Sequence, residues 1–149
     1  MNARMLLLLG VIVAGTAVGL GALGAHWFET KAQALYTDPE LQHKRVEAWK
    51  TGAAYQMYHG LALLAVGLCA LHTPSLRWDV AAACFLIGVL LFSGSLYTIG
   101  LSGVTDWKAA SKAWLAVIIA TPLGGTFFLL GWATFLWAIL GMPTTTPQR

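Results

Sequence analysis

Seven polar side chains stand inside long apolar runs or at their ends: His26, Gln56, His59, Ser93, Ser95, Tyr97 and Thr121. An imidazole can carry a proton or ligate a metal, and amides and hydroxyls can hold a ligand by hydrogen bonds. In hydrocarbon each of these groups is costly unless paired, and an ionisable one is by default a functional hypothesis. Three chemistries fit the set. The first is a packing network in which side chains bond across helices at about 0.6 kcal/mol each; His26 would cap the last carbonyls of its helix and His59 would donate to Tyr97 or Ser93. The second is a small polar pocket for a ligand, ion or proton. The third is a bis-histidine haem or metal site using His26 and His59. It lacks a third ligand at recognisable spacing, so neither a metal nor any other cofactor is expected.

The elements that must position these residues follow from composition. The chain has 149 residues, 58% of them hydrophobic and only 10% charged, against roughly 25% charged in a soluble domain. So few charges cannot cover a water-soluble surface, whereas lipid makes an apolar exterior the stable one. Disorder, a disulfide scaffold and an ordinary soluble enzyme are thereby excluded. The net charge of +3 comes from scattered basic residues with no stripe, which argues against a nucleic-acid partner.

Four apolar runs are legible, at about 5–25, 53–71, 80–101 and 113–141. Each is long enough to cross a bilayer as a helix. The expected fold is all-α, a four-helix transmembrane bundle forming one domain over 1–149. The second run stops at His72-Thr73-Pro74, the third at Ser102-Gly103 and the fourth before Met142-Pro143. Pro122, with Gly124 and Gly125 behind it, marks a kink in the long last run and a helix-packing site. Arg4 and Ala22-Leu23-Gly24 allow a cleaved signal peptide, but the run is longer than a signal core, so a retained span is expected. Asp38-Pro39 reads as an N-cap and first helical residue, opening an amphipathic interfacial segment that feeds the second span. Its Leu41, Ala48, Trp49 and Gly52 share one face.

Lysines and arginines favour the loops after spans one and three: Lys31, Lys44, Arg45, Lys50, Lys108 and Lys112, against Arg4, Arg77 and Arg149 on the other side. The positive-inside rule then places both termini outside and all seven polar residues in the cytoplasmic half. Trp27, Trp49, Trp107 and Trp114 fall at one expected interface, and Trp78 and Trp137 near the other, as an aromatic belt. Gly15 and Gly19 form a GxxxG in span one, which suits close packing in the bundle or self-association. Cys69 and Cys84 flank one short loop and read as free, membrane-buried thiols. His43 and His72 read as solvated loop residues.

Five segments occur in a characteristic order: Gly21-Ala22-Leu23-Gly24-Ala25-His26, Tyr55-Gln56-Met57-Tyr58-His59-Gly60-Leu61-Ala62, Leu91-Phe92-Ser93-Gly94-Ser95-Leu96-Tyr97, Thr121-Pro122-Leu123-Gly124-Gly125 and Gly131-Trp132. Together they resemble the motifs of the domain-of-unknown-function family 423, the YgdD-like small membrane proteins. The resemblance touches all four spans and implies a four-helix membrane protein. It implies no activity. The first loop and the tail are somewhat longer here than in a typical member.

No GxSxG, HExxH or P-loop occurs, and no carboxylate lies within a span. Proton and cation transporters usually place one there. The expectation is therefore a non-enzymatic accessory or scaffold protein in a bacterial-type inner membrane, with the lipid bilayer as its surroundings. It would bind lipid, a membrane-protein partner or a second copy of itself. The alternative is a small transporter or hydrophobic-ligand carrier using the polar half, with Thr121-Pro122 and Gly124-Gly125 as a broken helix.

Overall fold

The computed structural model describes residues 1–102 and 112–143, with the side chains of all but 112–114. The chain is helical in six segments: α1 (Ala3–Leu23), α2 (Glu29–Leu35), α3 (Pro39–His72), α4 (Leu76–Gly88), α5 (Gly94–Leu101) and α6 (Lys112–Leu140). One π-helical turn, Gly24–Phe28, joins α1 to α2, and another, Val89–Ser93, joins α4 to α5. The result is four rods long and apolar enough to cross a membrane: Ala3–Leu35, Pro39–His72, Leu76–Leu101 and Leu115–Leu140.

Local chemistry sets the ends. The Asn2 side chain accepts from the Met5 amide and the Asp38 side chain from the Glu40 amide, with Pro39 at the first helical position. Ser75 caps α4, so that Thr73-Pro74-Ser75 alone turns the second rod into the third. The first rod does not end near His26, as its apolar run suggests. It passes through the π turn and continues to Leu35, so the first loop shrinks to Tyr36–Asp38. The segment opened by Asp38 is correspondingly the start of one continuous helix reaching His72. Val46 and Trp49 bury against Phe28 and Ala32, which makes this end of the molecule a second small core.

The rods pack in chain order. The most extensive contact joins α1 to α3, the next α4 to α6, and α3 also lies along α5. The main core gathers Leu6, Leu63, Val66, Trp78, Phe85 and Phe128 from all four rods. The α1–α3 seam is built from small residues. A Cβ on Gly60 would stand 2.6 Å from the Ala14 backbone nitrogen, and one on Gly10 would stand 2.8 Å from Leu64. Of the two sequence readings of the GxxxG, packing within the bundle is corrected here. Gly15 and Gly19 have no atom within 4 Å of an added Cβ, so they pack nothing within the bundle and face outward. Gly124 does serve packing, lying against the Phe92 backbone, while Gly125 only meets the Phe92 ring at 3.9 Å. Helix α6 runs through Pro122 without interruption, and the Thr126 hydroxyl donates to the Pro122 carbonyl at 3.0 Å.

Two tryptophans assigned to the belt are core residues. Trp78 is buried and donates to the Thr73 carbonyl at 2.7 Å. Trp49 is buried, stacks on Phe28 at 5.0 Å and donates to the Leu20 carbonyl at 2.8 Å. Trp27 and Trp137 are exposed, and the Arg77 guanidinium sits 4.2 Å over the Trp137 ring. Trp107, Lys108, Arg149 and the side chains of Lys112 and Trp114 lie outside the described residues. Cys69 and Cys84 are free, partly buried thiols.

The two glycine faces predict different tolerances. Gly60→Leu should overpack the seam and cost about 1–3 kcal/mol or more of stability. Gly19→Leu should stay within about 0.5 kcal/mol of the parent. Thermal unfolding of the purified variants in detergent checks this ordering.

Candidate functional site

The seven sequence-selected residues do not form one cluster. They divide into two closed hydrogen-bond sets, one aromatic groove and two groups that join none of these.

The first set centres on Gln56 in α3. Its side-chain amide donates to the Thr16 hydroxyl at 2.8 Å and to the Val13 carbonyl at 3.0 Å, both in α1. Its carbonyl accepts from the Tyr97 hydroxyl of α5 at 2.9 Å. Both amide hydrogens are thereby used, and three helices are tied through one side chain. Thr16 passes its own proton to the Ile12 carbonyl at 2.7 Å. Tyr97 also packs against Trp49, with ring centroids 4.9 Å apart, next to the small core beneath it. Sequence reasoning chose Gln56 and Tyr97 and missed Thr16, the only hydroxyl in α1.

The second set joins the third and fourth rods. Ser95 donates to the Phe92 carbonyl at 2.8 Å, and its oxygen lies 2.7 Å from the Thr121 hydroxyl. A serine has one proton, so Thr121 is the donor to Ser95. The fully buried Ser93 hydroxyl has no partner among the described residues, and it does not bond His59 as the sequence suggested. His26 is exposed on the π turn. Its carbonyl accepts from Thr30 at 2.8 Å, but its ring neither caps a helix end nor approaches His59 as a partner. The π turn is the reason: the helix continues past His26, so no terminal carbonyls are left there for the imidazole.

His59 lies at the back of the groove. It is 4% exposed. Its Nδ1 is 2.8 Å from the Tyr55 carbonyl, one turn earlier. A carbonyl only accepts, so Nδ1 carries the proton and Nε2 of the neutral ring presents a lone pair. That lone pair accepts from the Trp132 indole N–H of α6 at 3.3 Å. The imidazole stacks face to face on Phe128 at 3.4 Å with planes 6° apart. His59 thus bonds another helix, as expected for a group so far inside a span, but its partner is Trp132 and not Tyr97.

The groove itself, about 680 Å³, runs between α3 and α6 beside the Val89–Ser93 turn. Tyr55, Tyr58, Phe92, Phe128 and Trp132 form its walls, with Pro122 and Gly125 at one end. The volume lies in the range of small-molecule sites. Tyr58 and Trp132 are 57% and 47% exposed, so the groove opens sideways from the bundle. The π turn helps to shape it: one extra residue per turn shifts the following helix face and sets Phe92 between Tyr55, at 4.7 Å, and Phe128, at 5.5 Å. Among the described residues no group of three or more His, Cys, Asp or Glu could hold a metal. Trp132 and Phe128 were missed as site residues because an aromatic in an apolar run carries no polar signal.

Two substitution sets test this partition. Gln56→Leu strands the Tyr97 hydroxyl and Tyr97→Phe strands the buried Gln56 carbonyl, so each should cost about 1–3 kcal/mol. The double variant should lose less than their sum, which a double-mutant cycle of thermal stability in detergent measures. In the same assay His59→Leu should destabilise more than His43→Leu.

A model of the family described as "Protein of unknown function (DUF423)" matches residues 20–125. The chain is similar to a UPF0382 membrane protein of Staphylococcus epidermidis, 36% identical over 137 residues, covering 92% of this chain and 96% of the relative. It is similar to the UPF0382 membrane protein YwdK of Bacillus subtilis, 34% identical over 130 residues, with 87% and 90% covered. It is also similar to the UPF0382 inner membrane protein YgdD of Escherichia coli, 33% identical over 137 residues, with 91% and 89% covered. No solved structure matches. The family match spans most of the chain and takes in Gln56, His59, Ser95, Tyr97 and Thr121, and with relatives this similar along most of their length the chain belongs to the uncharacterised DUF423 family of membrane proteins.

Proposed function

We propose that this chain is a non-enzymatic lipid-binding protein of a bacterial inner membrane, taking an apolar or amphiphilic molecule from the bilayer into the groove between α3 and α6. The observation that carries this reading is the aromatic groove, with His59 as the polar point at its back. Its lining residues fall within the apolar runs 53–71, 80–101 and 113–141, so its contents are drawn from the hydrocarbon. Aromatic walls offer large contact areas with few rotamers to freeze. The alternative of a transporter with a polar path receives less support. The Gln56–Tyr97–Thr16 and Ser95–Thr121 sets are each bonded within themselves and, among the described residues, leave no continuous row of free polar groups.

A second reading rests on a separate observation. Gly15 and Gly19 have open space before them, and Val11, Ile12 and Val18 are exposed nearby on the same helix. Such a face suits close approach by another transmembrane helix, from a partner protein or a second copy. The proposed orientation has both termini outside, from the bias of Lys and Arg towards the other side.

Native mass spectrometry of the gently solubilised protein tests both readings together. The parent chain should retain bound lipid. Gly125→Leu, whose Cβ would meet only the Phe92 ring at 3.9 Å, should reach into the groove and lower retention several-fold at similar thermal stability; equal retention would oppose the groove reading. Loss of a dimer or of a partner chain in Gly15→Leu/Gly19→Leu would support the second reading. For the orientation, a single cysteine at Lys44 should resist an impermeant reagent in intact cells and react after permeabilisation.

A further inference from the structure

Resting on the groove reading, we infer that the groove's ligand is a neutral amphiphile that presents a hydroxyl to His59 Nε2, and that the Trp132 indole holds that position until the ligand arrives. The inference follows from which proton is where. The Tyr55 carbonyl fixes the proton on Nδ1, which makes Nε2 an acceptor aimed at α6. An acceptor selects a donor, so a ketone, ester or ether oxygen would meet a lone pair, whereas a hydroxyl would be bound. Among the described residues the lining contains no Asp, Glu, Lys or Arg, so a phosphate or ammonium headgroup would find no opposite charge there and would be stripped of water.

The existing partner is suited to displacement. The Trp132 N–H reaches Nε2 at 3.3 Å, beyond the usual mode for a nitrogen donor. Its indole is 47% exposed at the groove wall and touches Phe85 edge-on at 5.2 Å, so it can tilt without leaving the aromatic cluster. His59 cannot tilt in the same way. It is clamped between the Tyr55 carbonyl and the Phe128 ring. A fixed acceptor opposite a movable donor lets the ligand hydroxyl take the place of the indole N–H, so that the Nε2 lone pair is paired in either state, at the cost of the N–H that the half-exposed Trp132 turns outward.

The test is equilibrium binding to the full chain in detergent, using a tritiated C20 isoprenoid alcohol and its methyl ether. These probes differ only in the donor proton and one methyl group. The alcohol should bind about three- to tenfold more tightly than the ether, the range of one hydrogen bond. Trp132→Phe, which keeps the aromatic wall and removes the N–H, should tighten the alcohol and leave the ether unchanged. His59→Phe should erase the preference; if that variant does not fold, the Trp132→Phe comparison decides alone. Competition by unlabelled dioleoylglycerol distinguishes a glyceride from an isoprenoid source of the hydroxyl. Equal binding of alcohol and ether to the parent chain, both lost in Gly125→Leu, would overturn the donor inference while supporting the groove. Binding of neither probe would overturn the groove reading and this inference with it.

Discussion

Three bonds from the side chain of Gln56 hold the first three rods in one register. Water in a soluble protein would compete for that amide; in hydrocarbon nothing else can satisfy it. The two donors go to α1 and the acceptor to α5, so rotating any of these helices about its axis breaks a bond. Packing then fills in around the fixed register. Gly60 brings α3 against the Ala14 backbone, which puts Thr16 and the Val13 carbonyl within reach of the amide. The small seam and the polar bridge therefore depend on each other: without the glycine the helices stand too far apart, and without the glutamine nothing selects that face of α1.

The fourth rod is held differently. Phe85 lies over Gly131 and Phe128 over Gly88, a ring from each rod entering a gap in the other, while Gly124 lets α6 lie against the Phe92 backbone. The Ser95–Thr121 contact is the polar element of that seam. Because α6 packs on the third rod while α1 packs on the second, α3 and α6 meet through side chains such as His59 against Phe128 and Trp132. The groove lies beside that contact. It is a consequence of packing in chain order, and the π turn at Val89–Ser93 furnishes it with Phe92.

Much of this was legible in the sequence. Four charge-poor runs gave the spans, and the cost of polar groups in lipid singled out Gln56, His59, Ser95, Tyr97 and Thr121 as residues needing partners. Their partners were harder to read. In a soluble helix one apolar face announces the core, but in lipid both faces are apolar, so α1 offered GxxxG at Gly15 and Gly19 as readily as the true seam at Gly10 and Ala14. The π turns have no sequence signature, which is why His26 looked like the end of a helix that in fact continues to Leu35. Trp49 and Trp78 resembled interface anchors by position alone; burial depended on which neighbours the extended rods supply. Thr16 and Trp132 were hidden for opposite reasons, one among glycines and the other among aromatics.

The central claim is that a fixed polar bridge sets the rods so that a lateral groove remains for a bilayer molecule. An experimental structure of the full chain in a lipid environment tests it most directly. The account predicts elongated density lying along Tyr55, Phe92 and Phe128 and reaching His59, with Gln56 still bonded to both neighbouring rods. A structure in which α3 and α6 close directly on each other and leave no room beside Phe92 would contradict it.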